Sequence, residues 1–151
     1  EPDAYVISKK KLTKKIKETI ALNGTQILLQ GGMHPDLKLD YYLDMLRYIK
    51  DDFSIHIHGF SPPEIFHLSR KSSICIEDIL KKLIKAGLDS IPGGGAEILV
   101  DEIRKQISPN KCNAEEWLDV MRTAHKLGLK SSATMMFGHI EKPKHTFKHK
   151  V

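Results

Sequence analysis

The sequence predicts an α/β chain of about four parallel strands with flanking helices, and three observations point there. Short apolar runs at 25–30, 53–60, 88–91 and 131–137 recur at roughly 30 to 45 residues, the spacing of strands joined by helical crossovers. The stretches between them carry apolar residues at helical spacing. Each run ends in a glycine-rich or polar turn. An open doubly wound sheet and a (β/α) barrel both satisfy this order. Four strands make half of an eight-stranded barrel, which needs about 250 residues. Half a barrel would leave sheet edges and apolar helix faces uncovered.

Residues 8–23 read as a helix, with Leu12, Ile16 and Ile20 on one face and lysines on the other, closed at Gly24. The run TQILLQ (25–30) reads as a buried strand, turning at Gly31-Gly32-Met33-His34-Pro35. Leu39, Tyr42, Leu43, Leu46 and Ile49 mark the next helix. In FSIHIHGF (53–60), Phe53, Ile55 and Ile57 alternate with Ser54, His56 and His58, the pattern of a strand. Ser61-Pro62-Pro63-Glu64 starts a helix, since proline is tolerated in a first turn. Residues 76–86 form another, acids first and lysines last, as the helix dipole favours.

A strand over 88–91 leads into three glycines and a helix near 98–106. Asn113 and Glu116 approach a capping box. They open a helix with Trp117, Val120, Met121, Ala124 and Leu127 inward. The fourth strand, 131–137, precedes Gly138-His139-Ile140-Glu141. Trp117, Met135 and Met136 read as core, and 142–151 as a basic, unpatterned tail.

At 40% apolar and 28% charged residues the composition is that of an ordinary globular protein. Nothing approaches the ~18 apolar residues of a membrane span. The net charge of +5 comes largely from lysines on helix faces, without the aromatic or groove-reading partners that nucleic acid needs. The expectation is therefore no nucleic acid and no membrane. Cys75 and Cys112 are far apart and form no CxxC, which fits a reducing, cytoplasmic compartment and is by itself no metal site. The chain runs from Glu1 to Val151 without an initiating Met, and is expected to be a piece of a larger protein.

The chemistry gathers after the strands, where ligands bind in both architectures. Gly31, Gly32 and His34 follow the first; His56 and His58 end the second, with Ser61 and Glu64 beyond. Gly93-Gly94-Gly95 and Glu97 follow the third, and Gly138, His139 and Glu141 the fourth. Three glycines in a row forgo side-chain packing and cost entropy, which suits a ligand-facing turn or a flexible surface loop. His56 and His58 point the same way: they line a lumen, bind a metal lacking an obvious third ligand, or form a buried hydrogen-bonded pair. Glu97 suits a ligand hydroxyl or amine, or caps its own helix. Glu141 serves the site or pairs with a tail lysine. GGGAE matches neither GxxxxGK[ST] nor GxGxxG. No nucleophile–base pair stands out.

Six segments carry a family resemblance: LLQGGMHPDL (28–37), HIHGFSPPEI (56–65), AGLDSIPGGGAEILVDEIR (86–104), ISPNK (107–111), EEWLDVMRTAHKLGL (115–129) and ATMMFGHIE (133–141). They resemble the radical S-adenosylmethionine (SAM) enzymes of the futalosine route to menaquinone, the cyclic dehypoxanthine futalosine synthases foremost. The aminofutalosine synthases and the F420-precursor synthases are near relatives. Ser61-Pro62-Pro63-Glu64-Ile65 favours the cyclases.

The resemblance implies a partial radical SAM barrel over 1–141, with 142–151 a truncated continuation. It implies two cofactors, SAM and a 4Fe–4S cluster that cleaves it reductively. It implies cyclisation of dehypoxanthine futalosine through hydrogen abstraction from its ribose, radical addition to the benzoate ring, and loss of an electron and a proton. A flavodoxin or ferredoxin would supply reductant. Gly31 and Gly32 would hold the methionine amino group, Glu97 would reach the cofactor ribose, and Gly138 to Glu141 would lie near adenine or substrate. His34, His56, His58 and Glu64 would line the substrate space.

The sequence departs from this family at one point. The family's CxxxCxxC is absent, and Cys75 and Cys112 do not replace it. The 151 residues alone are therefore expected to bind no cluster and to be inactive, although they come from such an enzyme. The contrasting expectation is a non-catalytic α/β binding module. An upstream CxxxCxxC in the same reading frame separates the two.

Overall fold

The computed structural model describes residues 5–150, so residues 1–4, the start of the expected barrel part, and Val151, the last residue of the tail, lie outside it. The elements run α1 (Lys9–Ala21), β1 (Gln26–Leu29), α2 (Leu39–Asp52), β2 (His56–Gly59), α3 (Pro62–Ser72), α4 (Ile76–Ala86), β3 (Ser90–Ile91), α5 (Asp101–Ile107), α6 (Ala114–Lys126), β4 (Lys130–Ser131) and α7 (Pro143–Lys150). The four strands are parallel and lie in the order of the sequence. Sequential order is what a barrel arc requires, whereas a doubly wound sheet reverses its order at a switch point.

Side-chain alternation decides what covers the sheet. Ile57 and Ile91 are fully buried and join the core with Ile27 and Leu29. The same core takes in Leu12 and Ile16 of α1, Leu46 and Ile49 of α2, Ile65 of α3, Leu80 and Leu83 of α4, and Val120 of α6. Fully burying one such aliphatic side chain contributes roughly 1.5–3 kcal/mol. The alternate residues, Gln26, Leu28, His56, His58 and Ser90, form the opposite face, and Leu28 there is 61% exposed. A second, smaller cluster of Ile98, Val100 and Ile103 sits beneath α5.

The structure differs from the sequence reading at the margins. Ile20, expected to face inward, is 42% exposed near the end of α1. Phe53 is the residue closing α2, its N–H bonded to the Ile49 carbonyl, so β2 starts at His56. The helix expected near 98 begins at Asp101, because Ile98 and Val100 are taken into the small cluster. The fourth strand shrinks to Lys130–Ser131; beyond it the chain keeps only isolated bonds, Ser132 N–H to Ile91 and Met136 N–H to Glu97. Met136, expected in the core, is therefore 44% exposed. The tail expected to be unpatterned forms α7, fastened by His149, whose Nδ1 accepts the Leu99 N–H, and by the buried His145.

Among the described residues, β1 and β4 present unpaired strand edges, and the core helices pack on the face opposite the histidines. Expressed alone, the 151-residue chain is predicted to self-associate in sedimentation velocity runs. A monodisperse monomer with a cooperative melt contradicts the open-arc description.

Candidate functional site

The site is built on the turns at the carboxyl ends of the strands, and the first is fixed by one carboxylate. α3 opens with a full capping box: Glu64 Oε2 accepts the Ser61 N–H at 2.9 Å and the Ser61 hydroxyl at 2.6 Å. Pro62 and Pro63 occupy the first helical positions, where no N–H is needed. Glu64 Oε1 reaches back to accept Gly31 N–H at 3.0 Å and Gly32 N–H at 3.1 Å. A buried carboxylate with four donors is satisfied without a ligand. Expected to line the substrate space, Glu64 instead lies behind the first glycine turn and holds it to α3. The outer side of that turn is open: a Cβ at Gly31 or Gly32 would meet nothing within 4 Å.

The second turn, Gly93-Gly94-Gly95, is clamped by its carbonyls. Thr134 Oγ1 donates to Gly93 O at 2.6 Å, and Trp117 Nε1 to Gly94 O at 3.1 Å. Arg104, 3% exposed, donates to Gly95 O at 3.1 Å, to Ala96 O, and to Cys112 O at 2.6 Å. Met136 N–H donates to Glu97 O at 2.7 Å. Five successive carbonyls are thereby held, so the flexible-loop alternative does not describe this turn. The glycines themselves answer to close packing. A Cβ at Gly93 would sit 2.5 Å from Ser132 O, and one at Gly95, where φ is +73°, would sit 2.8 Å from Pro63 Cδ.

Glu97 leaves this turn with φ at 40°, a left-handed backbone that costs a non-glycine residue roughly 1–2 kcal/mol. Its Oε1 pairs with Lys111 Nζ at 2.5 Å. Its Oε2 is buried without a partner. An unpaired buried acceptor is costly and marks a place for a donor. Glu141 turns on its own loop: Gly138 N–H donates to it at 2.5 Å and His139 N–H at 3.0 Å, and these hold its carboxyl below the usual range. It therefore binds its own backbone rather than a tail lysine.

The histidines divide. His34 is spent on its own turn, where Nδ1 accepts the Asp36 and Leu37 N–H groups. His56 and His58 share the face opposite the core helices, and both reach one hydroxyl: Ser90 Oγ is 2.7 Å from His56 Nε2 and 2.7 Å from His58 Nδ1. His58 Nε2 lies 3.3 Å from Ser132 Oγ, which also accepts the Gly93 N–H at 3.2 Å. Burial, and then the neighbouring His56, push the His58 ring below its ordinary pKa.

Sequence reasoning missed Ser90, Ser132, Arg104 and Lys111. The strand register pairs His58 with Ser90 and so carried a signal for the first. The others have none: Ser132 is brought in across 39 residues, and Arg104 and Lys111 by loop geometry that no periodicity encodes.

The cysteine thiols take no part in these contacts. Cys75 is exposed ahead of α4; Cys112 is buried, and burial pushes its thiol up to about 11. Among the described residues no three His, Cys, Asp or Glu side chains gather in a way that could hold a metal ion.

The model of the Radical SAM superfamily matches residues 1–149, and the chain belongs to that superfamily. Among its relatives, a cyclic dehypoxanthine futalosine synthase from Halalkalibacterium halodurans is 47% identical over 137 residues, 90% of this chain and 37% of the relative. A 5-amino-6-(D-ribitylamino)uracil--L-tyrosine 4-hydroxyphenyl transferase from Archaeoglobus fulgidus is 43% identical over 146 residues, 96% of this chain and 43% of the relative. A transferase of the same description from Methanosarcina mazei is 42% identical over 148 residues, 97% of this chain and 39% of the relative. The chain thus spans about two fifths of the length of these proteins.

Of the two groups this family implies, SAM fits the residues present. Glu97 Oε2 is an acceptor awaiting a donor, and the first glycine turn is open on its outer side. An iron–sulfur cluster does not fit: one thiol is exposed at the start of a helix and the other is buried and protonated.

Gly93→Ala must displace backbone at Ser132, whereas Gly94→Ala presses on the end of the Gln30 side chain and meets Ser61 Cβ in ordinary contact at 3.5 Å. Gly93→Ala is predicted to cost about 1–3 kcal/mol in chemical denaturation. Gly94→Ala is predicted to cost distinctly less, and equal losses contradict the packing described.

Proposed function

We propose that these residues are the SAM-holding rim of a radical SAM enzyme that cyclises dehypoxanthine futalosine. The observation that carries the reading is the partnerless Oε2 of Glu97, buried at the carboxyl end of the third strand of a radical SAM chain. In this reading Glu97 accepts a ribose hydroxyl of SAM, and the Gly31–Gly32 turn, held from behind by Glu64, meets the methionine end. Gly138 to Glu141, joined to Glu97 through Met136, border the adenine or the substrate. SAM supplies, when bound and cleaved, the hydrogen-abstracting 5′-deoxyadenosyl group. This chain orients it and closes the turns around it. The cluster that drives the cleavage is held by residues outside 1–151, and the reductant protein meets it there. A cytoplasmic setting suits two free thiols and a described chain in which no helix is long and apolar enough to cross a membrane.

The cyclase is favoured by the 47% identity to the Halalkalibacterium halodurans protein and by the Ser61–Ile65 segment. A second reading rests on the longer match to the archaeal 4-hydroxyphenyl transferase, and gives the full-length protein that activity instead. The two are separated by substrate. Full-length protein, reconstituted with iron and sulfide and reduced, is predicted to convert dehypoxanthine futalosine to the cyclic product by mass spectrometry. Turnover of 5-amino-6-(D-ribitylamino)uracil with tyrosine, and none of dehypoxanthine futalosine, sinks the cyclase reading.

A further inference from the structure

The row of hydroxyls and imidazoles on the face opposite the core helices does more than line a space. Ser132 Oγ, His58, Ser90 Oγ and His56 form an unbroken string across β2, β3 and the segment after β4, with links of 3.3, 2.7 and 2.7 Å. A hydroxyl has one proton to give, so the string has two consistent polarities. In one, Ser132 donates to His58 Nε2, His58 Nδ1–H donates to Ser90, and Ser90 donates to His56 Nε2. In the other every link is reversed. Ser132 can play the donor because the Gly93 N–H already occupies it as an acceptor.

The two ends of the string open to different places. Ser132 lies at the carboxyl-end rim, bonded to the glycine turn. His56, exposed at the start of β2, lines an open cavity of about 560 Å³ together with Lys50, Ser54 and Asp89. Burial pushes the Asp89 carboxyl up, but the Ile57 N–H and the Lys50 ammonium outweigh it and keep it ionised. The ionised Asp89 gives the cavity end of the string a negative neighbour. Lys130 is the register partner of Ser90 on the neighbouring strand.

We propose that Ser132, His58, Ser90 and His56 are a proton relay that carries a proton released by a rim-bound ligand through the sheet face to the cavity beside Asp89. The relay moves one proton per link. His58 Nε2 takes a proton from the ligand through the Ser132 hydroxyl. His58 passes its Nδ1 proton to Ser90 Oγ, and Ser90 passes its own to His56 Nε2. His56 releases its Nδ1 proton to solvent in the cavity. No electron moves along this path. The inference rests on the proposed function only in that the rim ligand must shed a proton.

Two measurements on the full-length protein test it. The first needs no substrate: ¹⁵N-histidine NMR reads the tautomer and titration of each ring. In the wild type the two rings are expected to titrate as a coupled pair. Ser90→Ala should uncouple them, and Ser90→Thr, which keeps a hydroxyl, should restore the coupling. Ring titrations unchanged in Ser90→Ala overturn the relay. The second measurement is turnover. Ser90→Ala is expected to lower kcat at least tenfold with little change in KM and to alter the solvent deuterium isotope effect, with recovery in Ser90→Thr. A kcat within twofold of wild type also overturns the relay. If the wild type turns over neither candidate substrate, the functional reading fails while the NMR result still decides the relay.

Discussion

Five consecutive carbonyls, Gly93 to Glu97, are taken up by donors from three later parts of the chain, and the rest of the rim depends on that capture. Arg104 comes from α5, Trp117 from α6, and Thr134 and Met136 from the segment beyond β4. The buried guanidinium has little room to be anything but a clamp, since its other strong bond is to the Cys112 carbonyl. Removing it would leave several carbonyls unsatisfied at once, and each buried loss of that kind costs of order 1–3 kcal/mol. Held this way, the chain enters Glu97 in a left-handed conformation that isolates one carboxylate oxygen. Strain of that sort persists only where the surroundings over-determine it.

The same logic governs the first turn, with the charges reversed. There an anion, Glu64, gathers N–H groups; at the second turn a cation, Arg104, gathers carbonyls. Both are buried, and the bonds both make go mainly to backbone rather than to an opposite charge, with Arg104 Nε left without a partner. The result is two rigid turns side by side. Pro63 of the first helix cap packs against Gly95 of the second turn, and Ser132 against Gly93. Precise placement of a ligand needs this kind of rigidity, because positioning groups must be held by their own neighbours.

Much of the fold could be read in the sequence because it rests on local pattern. The boundaries of α4 follow from its periodicity, its acidic start and its terminal glycine, and Ile55 and Ile57 are buried as the alternation required. What was illegible is what depends on distant partners. The residues after Ser131 look like a strand by composition, yet they lack a neighbouring strand to complete a ladder and become a loop with an exposed Met136. α7 has weak amphipathic pattern, and its anchors are imidazole-to-backbone bonds that no periodicity encodes. At the site, the glycine turns and Glu97 could be named from their position after strands. That Glu64 serves the first turn, or that one serine joins two histidines, follows only from the register and the crossover geometry.

In the proposed reading, Glu97 is the group that meets the ribose of SAM. The direct measurement is calorimetric binding of SAM, and separately of methionine, to the full-length protein and to Glu97→Gln. A charged acceptor lost from a buried hydrogen bond is worth roughly 1.5–3 kcal/mol, so SAM affinity is predicted to fall at least tenfold while methionine affinity holds. Equal SAM affinity in the two proteins contradicts the account.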